Sequence, residues 1–115
     1  MPLLDQWRTL RVRVRQHNGG DPFIGHHHRR LLREAGFAWS HATAAVESAG
    51  ALEETRRQAI FLKAQLQGFA RTATAEQWAD QATIDAMAAD IGAWAECSDA
   101  FWMGIWCETL AGVSD

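Results

Sequence analysis

The sequence lacks tyrosine, and among its 115 residues it has only two prolines, two cysteines and no long apolar run. A membrane-spanning helix needs about 20 consecutive apolar residues, so the sequence predicts no membrane partner. The first residues have neither the basic start nor the apolar stretch of a signal peptide, and we therefore expect a cytoplasmic protein. The length predicts a single domain spanning residues 1–115.

Patterns typical of metal sites are also missing. Cys97 and Cys107 form no CxxC pair, which favours reduced thiols that bind no metal. The run His26-His27-His28 stands out, but successive side chains on a helix point about 100 degrees apart and two arginines follow the run. We therefore predict no metal site.

Loops that cradle phosphate groups are absent as well. The sequence contains no GxGxxG motif and no Walker loop. The pair Gly19-Gly20 leads into Asp21-Pro22, which makes a turn and does not begin a helix. The sequence therefore predicts that this chain alone binds no nucleotide-like cofactor.

Tryptophan and charge are distributed unusually. Six Trp in so short a chain indicate a substantial core or an interface, because Trp gains most when it is packed. Residues 1–35 hold seven Arg against three acidic residues, whereas the remainder is acidic. Such an excess of base in one segment is typical of a nucleic-acid arm or of a solvated helix face. The small size of the excess favours the solvated face, so we predict no nucleic-acid partner.

Two helices are predicted in the first third of the chain. Apolar residues at helical spacing predict the first, and Asn18-Gly19-Gly20 ends it; its apolar stripe is Leu3, Trp7, Leu10 and Val14. The second is predicted for residues 25–35, where Gly36 ends the helix and Leu31, Leu32 and Ala35 are expected to be buried.

Two further helices are predicted in the middle of the chain. The first runs from about 52 to 73 with a buried stripe of Ala59, Leu62, Leu66, Phe69 and Ala73. Thr74 and Gln77 have the spacing of a capping box. The second helix is expected to be capped by Thr83, and its apolar stripe is Ile84, Met87, Ala88, Ile91, Trp94 and Ala95.

Strands are predicted at two places. Residues 37–48 alternate like a strand, yet their many alanines also favour a helix, and the local pattern leaves both open. The last apolar run, Ile105 to Val113, is short and rich in strand-forming residues, which predicts a strand.

Three stretches together resemble class I S-adenosylmethionine-dependent methyltransferases. Residues 31–37, Leu-Leu-Arg-Glu-Ala-Gly-Phe, are similar to the LLxxAGF motif of that family, and residues 17–25 resemble the HNGGDPxIG segment found in a bacterial subset of it. Segments between Ala86 and Glu108 resemble the closing region of the same subset. The matches cover nearly the whole chain in the order expected for the C-terminal part of such an enzyme.

The resemblance implies an α/β fold, the C-terminal portion of a Rossmann-like sheet. Residues 37–48 and 104–113 would be its sixth and seventh strands, antiparallel to each other, with the helices between them inserted as a lid over a substrate pocket. The family's cofactor is S-adenosylmethionine, held by a Gly-rich loop and an acidic residue that this sequence lacks. The resemblance therefore assigns no cofactor-binding residue to this chain.

The resemblance also suggests substrate-pocket residues. They are the candidates His17, Asn18, Asp21 and Ile24, with Trp102 and Trp106 as apolar walls. His17 would position the substrate and accept a proton. The competing interpretation is structural: His17 and Asn18 end a helix, and the tryptophans fill the core.

Two functions from different classes remain open. In the first, the chain provides pocket and lid surfaces of a methyltransferase for a small-molecule substrate, and is inactive without a complementary half. In the second, it is a small helical module that binds a protein or an apolar ligand. The unpaired edges of two isolated strands would then favour a homodimer.

Overall fold

The computed structural model describes residues 2–114, including the side chains from Leu4 onward. Its elements in chain order are helix α1 (Pro2–His17), a short 3₁₀ helix (Ile24–His27), helix α2 (His28–Glu34), strand β1 (Trp39–Ala49), helix α3 (Leu52–Ala75), helix α4 (Gln81–Ala95) and strand β2 (Trp102–Gly112). The fold is mixed α/β, with one two-stranded antiparallel sheet. No helix in the described part of the chain is long and apolar enough to cross a membrane.

The chain divides into two compact units. The residues up to Gly20 and the segment Ala49–Trp102 form the first, which we call the helical unit. Asp21–Ser48 and the residues from Met103 onward form the second, which we call the sheet unit.

The core of the helical unit lies where α1, α3 and α4 pack together. Buried side chains recur every three or four residues on each helix, so each helix presents one apolar face to the others. These residues are Trp7, Leu10, Val14, Ala59, Leu62, Leu66, Phe69, Ala73, Ile84, Met87, Ile91 and Ala95. The predicted stripes are confirmed, with Ala88 and Trp94 only partly buried and the side chain of Leu3 outside the described residues.

Polar contacts tie the start of α3 to the end of α4. The Thr55 hydroxyl, which is buried, donates to the backbone oxygen of Ala95 at 2.8 Å. Arg56 donates two hydrogen bonds of 2.8 Å to the Glu96 carboxylate. These bonds, followed by the charge of Arg56, hold the pKa of Glu96 below its usual value. Both side chains are exposed, so the ion pair contributes little to stability.

The predicted caps around α4 are wrong. Asp80, not Thr83, is the N-cap: its carboxylate accepts hydrogen bonds from the backbone N–H of Thr83 at 2.8 Å and from the Thr83 hydroxyl at 2.7 Å. These bonds lower the pKa of Asp80. Thr74 lies inside α3, where its hydroxyl donates to the oxygen of Ala70, and Gln77 follows the helix in a left-handed conformation with φ 60°. Asp80 is the N-cap because its carboxylate accepts hydrogen bonds from helix N–H groups more strongly than the Thr83 hydroxyl does.

The helix predicted for residues 25–35 is shorter and more exposed than expected. Residues 24–27 form a 3₁₀ helix, and its last residue, His27, is the N-cap of α2, with the non-helical angles φ −114° and ψ 2°. No residue of α2 is buried: Leu32 is half-buried and Leu31 is 39 % exposed. Ala35 is also exposed. The predicted burial is wrong because the sheet unit offers only two strands to cover the helix.

The two predicted strands are confirmed, with β1 one or two residues later and β2 one to three residues earlier than predicted. At one end of the pair, the backbone N–H of Ala38 donates to the oxygen of Gly112 at 2.9 Å. Two glycines lie in close contact with side chains of the sheet. A Cβ on Gly25 would lie 2.7 Å from the Cys107 side chain, and one on Gly112 would overlap the Trp39 indole. The alanine-rich segment is thus a strand from Trp39 to Ala49, and residues 37 and 38 precede it.

Alanine substitutions at two glycines test how far backbone conformation controls stability. Gly68 lies in the middle of α3 and Gly36 follows α2 with φ +99°, and neither has a neighbour within 4 Å of an added Cβ. Gly68→Ala should raise the free energy of unfolding by about 0.5–1 kcal/mol, because alanine favours the helix. Gly36→Ala should lower it by about 1–2 kcal/mol, because a Cβ opposes the left-handed region. Urea denaturation measures both, and equal changes would contradict the conformational explanation.

Candidate functional site

His17, the predicted proton acceptor, ends α1 in the helical unit. Its Nε2 lies 3.5 Å from an oxygen of Glu76, and its ring meets Trp78 edge-on, with centroids 5.2 Å apart. The guanidinium of Arg13 lies 4.1 Å from the centre of the same Trp78 ring. The imidazole is half-exposed and already has an acidic partner, so its contacts fix the end of α1 against the segment after α3.

The next three predicted pocket residues belong to the turn that follows. Asn18 donates its backbone N–H to the oxygen of Val14, which closes the last turn of α1. The Asp21 carboxylate accepts the backbone N–H of Phe23 at 2.8 Å, a local turn bond. Ile24 begins the 3₁₀ helix and is exposed. Each residue has a local structural role.

The predicted aromatic walls differ in burial. Trp102 is half-buried and packs against the core of the helical unit. Trp106 lies in β2 and is 51 % exposed. The six candidates thus divide evenly, with His17, Asn18 and Trp102 in the helical unit and Asp21, Ile24 and Trp106 in the sheet unit.

Two arginines on the basic face of α1 contact tryptophan rings within the helical unit. Arg13 stacks on Trp78, as described above, and the Arg11 guanidinium lies 5.8 Å from the centre of the Trp7 ring. Burial, and then the charge of Arg15, lower the pKa of Arg11. Stacked arginines of this kind cover apolar rings as well as carry charge.

The sheet unit exposes apolar side chains on both faces of β2. Side chains alternate along a strand, so Ile105 lies on one face and Trp106 and Leu110 on the other. Ile105 is 64 % and Leu110 68 % exposed, and Met103 and Val46 are exposed as well. A strand that is apolar on both faces is typical of the interior of a sheet covered by helices on both sides.

A second feature of the sheet unit was missed in the sequence. An open cleft of about 360 Å³ is lined by Arg29, Arg30 and Arg33 of α2 together with Phe37, Ala38, Trp39 and Ser40. In the sequence, Arg29 and Arg30 stand out only as neighbours of the histidine run, and Arg33 only as part of the stretch that resembles LLxxAGF. Their spacing at i, i+1 and i+4 places Arg29 and Arg33 on one helix side, which was the available signal.

The potential metal-binding side chains of the described residues are dispersed. Among the described residues, no three His, Cys, Asp or Glu side chains are arranged to hold a metal ion. In the histidine run, His28 contacts the Thr109 hydroxyl through its Nδ1 at 3.2 Å. Both cysteines are free and exposed.

Comparison of the chain with protein-family models, with curated proteins and with solved structures gives no match.

Proposed function

We propose that this chain provides the C-terminal part of a class I S-adenosylmethionine-dependent methyltransferase. In this proposal β1 and β2 are the sixth and seventh strands of a Rossmann-like sheet. The helices α3 and α4, which follow β1 and precede β2 in the chain, are the insertion that lids the substrate pocket. The observation that carries the proposal is the apolar character of β2 on both of its faces.

Exposed apolar side chains on both faces of β2 support the proposal that this strand belongs to a larger sheet. A fully exposed apolar side chain forgoes about 1.5–3 kcal/mol relative to full burial, and those of β2, roughly two thirds exposed, forgo most of that. Ile105 and Leu110 point to opposite faces, so a single covering partner on one face would leave the other in water. Strands added on the free edge of β2 would extend the sheet, and helices packed on its two sides would cover both faces, as in the doubly wound folds.

The chain does not fit the cofactor by itself. Its sequence has no glycine-rich loop between a strand and a helix. The cofactor would therefore be held by a complementary polypeptide segment, and this chain would bind and orient a small-molecule substrate. Methyl transfer depends on holding the two reactants in line, so either half alone is expected to be inactive.

Calorimetry with S-adenosylmethionine tests whether the cofactor binds to this chain or to the complementary segment. Titration of the isolated chain should release no binding heat, and clear micromolar binding would contradict the proposal. If a glycine-rich strand–loop–helix unit is encoded upstream, the polypeptide that carries it should form a complex with this chain on gel filtration and bind the cofactor.

A charged side chain introduced into β2 tests the sheet assignment, and the same change on α3 is the matched control. Ile105→Asp should abolish the complex, whereas Ile60→Asp, at a similarly exposed site on α3, should leave it intact. Equal effects of the two variants, or the absence of any complex, would count against the sheet assignment.

The alternative function is a small module that binds a protein or an apolar ligand and pairs with a second copy of itself. The open outer edges of β1 and β2 favour it, because unpaired strand edges readily add another strand. Analytical ultracentrifugation of the purified chain separates the alternatives: a monomer at high protein concentration would exclude the homodimer.

A further inference from the structure

The positive charge of the sheet unit is concentrated in one place. Its only Lys or Arg residues are Arg29, Arg30 and Arg33, and all three line the cleft described above. No acidic residue is among the described residues that line it. Three like charges within two helical turns repel each other, and the exposed Glu34 carboxylate, 3.9 Å from Arg30, offsets this only weakly, so a bound negative group would be stabilising.

The three guanidinium groups retain donors for a ligand. Arg29 Nε donates to the Ser40 hydroxyl at 3.3 Å, which uses one of its five donors. Arg30 lies 3.9 Å from a Glu34 oxygen, a long and exposed pair of little strength. Within residues 2–114, Arg33 has no hydrogen-bonded or ionic side-chain partner.

An aromatic wall completes the cleft. The Trp39 indole N–H donates to the backbone oxygen of Ser114 at 3.0 Å, and the ring packs so closely on Gly112 that a Cβ there would overlap it. These two contacts hold the indole in place. Phe37 lines the cleft beside it, so a planar ring could stack within reach of the arginines.

We propose that this cleft binds a phosphate monoester carried on an aromatic ring. A phosphate monoester has close to two negative charges and three free oxygens, which suit several guanidinium groups better than a single carboxylate does. The cleft volume of about 360 Å³ accommodates a small ring with its phosphate. The site stands on the cleft geometry and does not depend on the methyltransferase proposal.

Titration with phenyl phosphate and with inorganic phosphate, followed by amide NMR shifts of the full chain, tests the site. Phenyl phosphate should bind saturably and more tightly than inorganic phosphate, and its affinity should fall as salt rises. Arg33→Gln should weaken it by about tenfold. Arg71→Gln removes an exposed arginine of the helical unit and should leave binding unchanged.

Trp39→Leu separates the two parts of the ligand. It should reduce the affinity for phenyl phosphate to the level of inorganic phosphate, without changing the latter. Unsaturable shifts, or equal losses in Arg33→Gln and Arg71→Gln, would overturn the proposal. So would tighter binding of a single-stranded oligonucleotide than of phenyl phosphate, since the cleft would then serve a nucleic acid.

Discussion

Replacing Leu66 by Ala is expected to lower the free energy of unfolding by about 3–4 kcal/mol. Leu66 is 1 % exposed and lies on α3 in the middle of the helical core. The substitution removes three carbon atoms from this core and leaves a cavity that the surrounding helices can only partly close. Both the lost burial and the cavity reduce stability.

Urea denaturation followed by circular dichroism at 222 nm measures this loss, because the helical unit contributes most of the helical signal. Ile60→Ala is the matched control: it lies in the same helix, is 71 % exposed and should cost less than about 1 kcal/mol. Similar losses at the two positions would mean that α3 does not present its Leu66 face to the core.

The helical core could be predicted from the sequence because its signal is periodic. On α3 the stripe from Ala59 to Ala73 follows the helical repeat over four turns, and each predicted residue is buried. A pattern of that length leaves no other secondary structure that hides the same residues together. On α4 the same repeat buries Ile84, Met87, Ile91 and Ala95, whereas Ala88 and Trp94 of the predicted stripe are only partly buried.

The helix caps and the burial of α2 are predicted less accurately than the helical core, because competing local signals are nearly equal there. Asp80 and Thr83 are both good N-caps, and only the observed hydrogen bonds show that the aspartate caps α4. The burial of Leu31 was predicted from helical spacing alone. Spacing identifies an apolar face but does not say whether enough sheet is present to cover it.

Strand β1 shows where local propensity and fold disagree. Its alanines favour a helix, yet pairing with β2 satisfies the backbone groups on one edge of it as a strand. Such pairing joins residues far apart in the chain, so no local window contains it. The resemblance to a methyltransferase supplied the strand prediction that local physics left open.

The arginine cleft was missed for a related reason. The positions of Arg29 and Arg33 on one helix side are visible in the sequence, but the aromatic wall is not. Trp39 reaches the cleft through its bond to Ser114 and its packing on Gly112, both of which require the two strands to pair. A site assembled by strand pairing becomes visible only when the sheet is known.

Thr55→Val is expected to lower the free energy of unfolding by about 1–3 kcal/mol, the second largest loss. The last carbonyl groups of a helix have no partner within it, and the buried Thr55 hydroxyl supplies one for Ala95 at the end of α4. Valine has nearly the same shape as threonine, so packing is preserved while the carbonyl loses its donor in a buried place.

The same substitution at Thr74 provides the control in the same urea experiment. Its hydroxyl donates to Ala70 within α3, a carbonyl that the helix turn already engages, and Thr74 is only half-buried. Thr74→Val should therefore change stability by no more than about 0.5 kcal/mol. Equal losses at Thr55 and Thr74 would mean that the bond to Ala95 does not stabilise the contact between α3 and α4. A loss confined to Thr55 would identify a polar contact that apolar periodicity, the basis for predicting this core, does not reveal.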